Sequence, residues 1–322
     1  MTKLNCLQYN LLPNLTIDEK YSLESLKVNE ELEILQNEFK KRFGFGYFLT
    51  LSFTKEGFCT FILGLDGKVA VSIGECEAIV GGALLAQKYG KEIKWIGLSN
   101  NGEIEYAHID KGIDFIFVSS YVIDTFVKTD LQKIKSLTNA KIISNISANF
   151  DETCDMALLD SYKLSGFGTC GLLLTNQQNT QNIGNIDFLG AKLCFEGITR
   201  QKFDYTSKEL FLKYFQEIFG DDLLLFINPN KTLEYSLHIG LKGIKARYLI
   251  RSLALDEVFV SNGEGCSLGL GIPSRIIQSM GYSEDMSRWA LVLNFDKNYS
   301  DKECEKIVRL IHKKYRQTKA LQ

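Results

Sequence analysis

The chain has 322 residues, of which 24% are charged and 45% hydrophobic, and a net charge of −2. This is long enough for a substantial core divided over two domains. The near balance of charge gives no electrostatic case for nucleic acid or an anionic membrane. No apolar run approaches a bilayer span, and the start, MTKLNCLQYN, carries no signal-peptide pattern, so a cytoplasmic protein is expected.

Residues 1–45 are polar and helix-prone, with acidic clusters such as Asp18-Glu19. The run YFLTLSF at 47–53 predicts a strand, 57–65 a short helix and VAVS at 69–72 a second strand. An amphipathic helix is predicted over 76–89, stopped by Gly90. Apolar runs at 93–98, 114–118, 141–144 and 155–159 predict further strands, with a helix at 130–137. Strands alternating with helices imply a mostly parallel, doubly wound α/β sheet that takes ligands at the carboxyl ends of its strands. From 175 to 206 the chain turns polar, beginning TNQQNTQNIGN, and reads as a domain connection. Beyond it, helices at 207–219, 245–254, 274–280 and 301–317 alternate with strands at 223–227, 233–239, 258–261 and 290–295. Pro273 stands near the start of one of those helices.

The eight cysteines are dispersed without a C-x-x-C pair, and the three histidines, His108, His238 and His312, are isolated. Neither a structural zinc site nor a disulfide framework is expected. Most of the cysteines read as small buried hydrophobes.

The most informative stretch is 154–174, CDMALLDSYKLSGFGTCGLLL. Two short apolar runs flank a glycine-rich turn, which places Lys163 where a buried strand ends. A lysine held against apolar walls there can lose enough solvation to act as a nucleophilic amine. The spacing in GFGTCG matches a dinucleotide fingerprint, but a strand-like LLLT follows in place of the helix that the fingerprint requires, so the match is accidental. A second glycine-rich loop, NGEGCSLGLG, carries Cys266 between a predicted strand and helix. Glycines there keep a thiol clear of steric bulk. The same loop spells G-x-S-x-G around Ser267, but only His312 follows it, which leaves a hydrolase triad incomplete.

Taken together, SYKLSGFGTCG and the later VSNGEGCSLGLGIPSRIIQSMGYS resemble the pyridoxal-phosphate-dependent cysteine desulfurases, NifS/IscS-like members of the class V aminotransferases with fold type I. The resemblance runs from about Phe53 to the C-terminus. It implies a Schiff base between pyridoxal 5'-phosphate and Lys163, and a persulfide on Cys266 that takes sulfur from cysteine. It also implies a homodimer, a small-molecule amino acid substrate and a sulfur-acceptor protein. The domains it implies are an N-terminal helical segment (1–45), a large α/β domain (46–185), and a connection with a small C-terminal domain carrying Cys266 (186–322).

Position by position, the resemblance puts Asn145 where the family's acid meets the pyridinium nitrogen, and Cys76, after Glu75, where its histidine stacks on the ring. Tyr162 stands for the histidine before the lysine, and Ala148 for the glutamine that bonds the phenolic oxygen. The phosphate would meet Lys55, Tyr162 and the backbone N–H groups from Gly57 to Cys59 at a helix start. The substrate carboxylate's arginine falls at Val292, with Arg288 nearby. An amide in place of the acid weakens the electron sink. Two readings follow: a divergent cysteine desulfurase, or a degenerate relative that keeps the fold as a binding or structural protein without the cofactor.

Overall fold

The structure is a computed structural model that describes residues 1–6, 25–166, 170–177, 186–202, 205–263 and 272–321. A first strand, β1 (Thr2–Lys3), precedes helix α1 (Ser25–Phe43). In α1, Leu35, Phe39 and Phe43 recur at helical spacing and are buried, and Lys40, Lys41 and Arg42 complement the helix dipole in its last turn. Then come β2 (Tyr47–Ser52), α2 (Lys55–Leu63), β3 (Val69–Ser72), α3 (Glu77–Lys88), β4 (Ile93–Ile96) and β5 (Phe115–Phe117). They are followed by α4 (Leu131–Leu137), β6 (Lys141–Asn145), β7 (Met156–Asp160), α5 (Ser161–Ser165) and β8 (Cys170–Thr175).

Among the described residues, β2 to β8 form a seven-stranded sheet in the order β2-β8-β7-β6-β5-β3-β4. The pairings β7–β6, β6–β5, β5–β3 and β3–β4 are parallel, whereas β8 runs antiparallel to both β7 and β2. The sheet has a core on each face. The period-two alternation of β7 sends Ala157 and Leu159 to one core and Met156 and Leu158 to the other.

The stretch from 175 to 206 holds more than a connection, because α6 (Phe188–Arg200) packs Ala191, Cys194 and Ile198 into one of these cores. Next come α7 (Lys208–Phe219), β9 (Leu223–Leu224), β10 (Ser236–Leu241), α8 (Ala246–Ala254) and β11 (Val258–Phe259). The chain then continues through α9 (Arg275–Ser279), α10 (Glu284–Ser287), β12 (Ala290–Asn294) and α11 (Asp301–Ala320). Strands β12, β10 and β9 form a small antiparallel sheet. One face of it packs Leu237, Ile239, Leu291 and Leu293 against Phe211 and Phe215 of α7 and Ile311 of α11. A reciprocal Ser300–Glu303 capping box starts α11.

The first residues of the chain join this small unit. Strand β1 pairs in parallel with β11, Leu4 is fully buried in the small core, and Asn5 bridges to Asn294. The opposite face of the small sheet carries Val292, which shares a buried cluster with Tyr121, Phe126, Ala148, Leu233 and Tyr235. The two halves of the molecule meet there.

Candidate functional site

The parallel strands β3, β5, β6 and β7 end along one lip, so the residues just past them converge: Glu75 after β3, Ser119 after β5, Asn145 at the end of β6 and Lys163 after β7. Lys163 does not sit on the strand tip but on α5, a single helical turn. Asp160 Oδ1 accepts from the N–H groups of Tyr162 (3.0 Å) and Lys163 (3.4 Å) and so starts that turn. Gly166, at φ 77°, ends it.

The lysine is 6% exposed. Its Nζ hydrogen-bonds the Tyr121 hydroxyl and lies 5.1 Å from the centre of that ring. Tyr121 is buried and stacks on Phe126, with ring centres 5.8 Å apart and planes 2° from parallel. Phe126 holds φ at 61° to present its ring in this way, and Asp124 holds 65°. These are costly backbone conformations for residues other than glycine. The turn that maintains them is closed by hydrogen bonds from Thr125 N to Ile123 O (2.7 Å) and from Phe126 N to Val122 O (2.9 Å).

Two carboxyl groups, buried Glu75 and half-buried Asp160, lie close enough to feel the amine's charge. Glu75 Oε2 accepts from Ser119 Oγ at 2.6 Å, and Oε1 has no hydrogen-bond partner. Loss of solvation raises Glu75 to about 7, against a partial counter-effect of the Ser119 hydrogen bond and the Lys163 charge. Asp160 is raised for the same reason, and again the Lys163 charge opposes the shift. The lip therefore holds an amine, a phenol and two carboxyl groups, and of these Glu75 is raised to about 7.

The other positions picked out from the sequence lie as follows. Asn145 Oδ1 accepts from Ser147 N at 3.0 Å, which turns the amide oxygen onto its own backbone. Ala148 is buried, and its carbonyl accepts from the Tyr235 hydroxyl. Cys76 caps α3 without a side-chain hydrogen bond, and burial with the nearby Glu75 pushes its thiol far up. Tyr162 is 40% exposed, on the solvent side of α5 rather than enclosed with Lys163. The N–H of Gly57 donates to Thr54 Oγ1 at 3.2 Å, and Lys55, 63% exposed, pairs with Glu56 at 3.7 Å. Only glycine fits at position 57, since a Cβ there would lie 1.9 Å from Ser52 O. Arg288 pairs with Glu284 on its own helix, and Val292 packs in the cluster that contains Tyr121.

Cys266 and the G-x-S-x-G match lie outside the described residues, but the flanks of their loop lie within them. Gly263 abuts the Asp124 carboxylate, and Ser274 Oγ donates to Asp124 Oδ2 at 2.6 Å. The Arg275 guanidinium bonds the carbonyls of Ile73 and Glu75 and the Glu77 carboxylate. Both ends of the loop thus rest on the lip that holds Lys163. The lone downstream histidine of the hydrolase reading, His312, packs its ring on Phe219 at 4.9 Å within α11. Burial pushes the thiols of Cys154 and Cys170 up to about 12 and that of Cys304 up to about 11, which leaves them unreactive near neutral pH. Among the described residues no cluster of His, Cys, Asp and Glu could hold a metal ion, and no helix is long and apolar enough to cross a membrane.

Tyr121 and Ser119 are the site residues that the sequence did not disclose. Their string, SSY, has no spacing or composition that sets it apart.

No protein-family model matches the sequence, and no curated protein is similar to it. Solved structures do match. A NifS-like protein superposes with a TM-score of 0.72 at 10% identity, over 92% of this chain and 90% of its own. A NifS-like protein from Rickettsia africae gives 0.70 at 13% identity, over 92% and 91%. The apo cysteine desulfurase from Thermococcus onnurineus gives 0.69 at 13% identity, over 92% and 87%. The chain has the NifS-like, class V aminotransferase architecture, the pyridoxal-phosphate fold type I, in a divergent sequence.

Proposed function

We propose that this chain is a non-catalytic relative within the cysteine desulfurase fold, a binding or structural protein that works without pyridoxal phosphate and as a homodimer. One observation carries the reading: the Lys163 amine is engaged by the Tyr121 hydroxyl. The strained turn at Asp124 and Phe126 that backs Tyr121 makes this contact a built feature rather than a loose side chain.

The residues present do not fit the cofactor. Its pyridine nitrogen needs an anion, and Asn145 offers a neutral amide whose oxygen is already taken by Ser147. Its phosphate needs free N–H groups and positive charge. At the start of α2 the Gly57 N–H is capped by Thr54, Glu56 adds negative charge, and Lys55 extends into solvent. Each lost charged contact of this kind is worth about 1.5–3 kcal/mol, and about 1.4 kcal/mol is tenfold in affinity, so several together remove useful binding.

A second reading, a cysteine desulfurase using Lys163 and a Cys266 persulfide with a sulfur-acceptor partner, is favoured by one geometric fact. The flanks of the Cys266 loop are tied to the Lys163 lip through Asp124 and Arg275.

Titration of the purified protein with pyridoxal phosphate separates the two readings. The first expects no absorbance at about 410–430 nm, where an internal aldimine absorbs, and no adduct on Lys163 after borohydride reduction. A reduced adduct on Lys163, with alanine released from cysteine, overturns it in favour of the second.

A further inference from the structure

Lys208 opens α7 with its side chain turned into the protein, 6% exposed. Its Nζ lies 3.0 Å from Pro229 O, 3.1 Å from Leu233 O, 3.2 Å from Thr232 Oγ1 and 3.3 Å from Thr232 O. Glu234 Oε2 stands at 3.7 Å, and the other oxygen of that carboxylate accepts from Lys128 at 2.7 Å. The Thr232 hydroxyl donates its own proton to Pro229 O at 2.8 Å, which leaves its lone pairs for the amine. An ammonium has three N–H donors and no acceptor. Four neutral oxygens and a carboxylate exceed what three donors can satisfy one by one, so the group is held as a cation in a cage of oxygen dipoles.

Shells made mainly of backbone carbonyls are the ones that replace the hydration of a weakly hydrated monovalent cation. We propose that the turn at 229–233 is a monovalent-cation site that the protein fills with its own lysine, and that truncation of Lys208 opens it to ammonium or potassium. The occupied cage braces the meeting place of the two halves. Leu233 N donates to Phe126 O (2.9 Å), Lys128 N to Lys231 O (2.8 Å), and Val127 bridges to Thr232. The amine therefore steadies, from behind, the turn that holds Tyr121, which makes Lys208 a positioning residue. This is independent of the function proposed above.

Thermal unfolding of full-length Lys208→Ala in ammonium, potassium and lithium chloride at equal ionic strength tests the site. The expected result is a saturable rise in Tm with ammonium or potassium, about 3 °C beyond lithium at ten times the apparent Kd, with no such selectivity in the wild type. Equal midpoints in the three salts, or the same selectivity in the wild type, overturn the proposal. If the variant does not fold, the wild type decides. A caged ammonium predicts an ¹⁵N-lysine spectrum in which the Lys208 Nζ protons exchange slowly with water, and fast exchange overturns it.

Discussion

Lys163 and Lys208 are equally buried, at 6% exposure each, and differ in what surrounds the amine. Lys208 meets mainly carbonyl and hydroxyl oxygens of one turn, which cannot take its proton at ordinary pH, with the Glu234 carboxylate further off at 3.7 Å. Lys163 meets a phenol and feels the charge of two carboxyl groups that burial raises, Glu75 to about 7. Burial by itself therefore does not separate a structural lysine from a chemical one. The identity of the nearest oxygens does.

The largest effect should come from removing the caged amine. Lys208→Met leaves buried acceptors unpaired and should cost about 3–5 kcal/mol. Lys163→Met keeps an apolar stem against Tyr121 while Glu75 takes up a proton, and should cost under about 1 kcal/mol. Urea unfolding of both variants at pH 7 checks the contrast, and equal losses would break it.

The next effect belongs to Glu75. Its folded value of about 7 lies above the ordinary 4.5. A raised acid contributes its full stability below pH 4.5 and loses it as the pH climbs through 7. Glu75→Gln should therefore gain on the wild type by about 3 kcal/mol between pH 4.5 and 8. Denaturation midpoints across that range measure it, and parallel curves would mean that the carboxyl group is not desolvated.

A smaller effect than those of Lys208→Met and Glu75→Gln is that of Tyr121→Phe, which removes one hydrogen bond to a charged partner and should cost about 1–2 kcal/mol. It leaves the stack on Phe126 intact. A loss above that of Lys208→Met would invert the ranking of the two lysine sites.

The strand–helix alternation between 47 and 160 was readable because interior parallel strands are short and almost wholly apolar, as VAVS and FIF are. The glycines around Lys163 mark the end of a strand, but the side-chain capping by Asp160 that turns the strand tip into α5 has no local pattern of its own. Helix α6 stayed hidden behind a polar tract and two internal glycines. Gly197 is there because a Cβ would lie 2.6 Å from Leu164 O, a tertiary reason that no local pattern shows. Strands 223–227 and 233–239 came out shortened or shifted to β9 and β10 because a 3₁₀ turn at Pro229–Lys231 and the Lys208 cage occupy the chain between them. Tyr121 and Lys208 share a physical cause for their silence. Each acquires its role from a partner distant in sequence, Lys163 in one case and the turn at 229–233 in the other.

Strand β1 has a consequence for how the molecule comes into being. Thr2 and Lys3 lie beside Val258 and Phe259, Tyr299 donates its hydroxyl proton to the carbonyl of Lys3, and Asn294 N–H donates to Leu4 O. The small unit is therefore sewn from segments far apart in the sequence. A ribosome delivers residues 2–4 long before the residues at 258–299 that receive them, so this segment waits, unmatched, through the synthesis of everything between. A fragment cut to begin at α7 would carry the small sheet with an unfilled slot where Leu4 belongs.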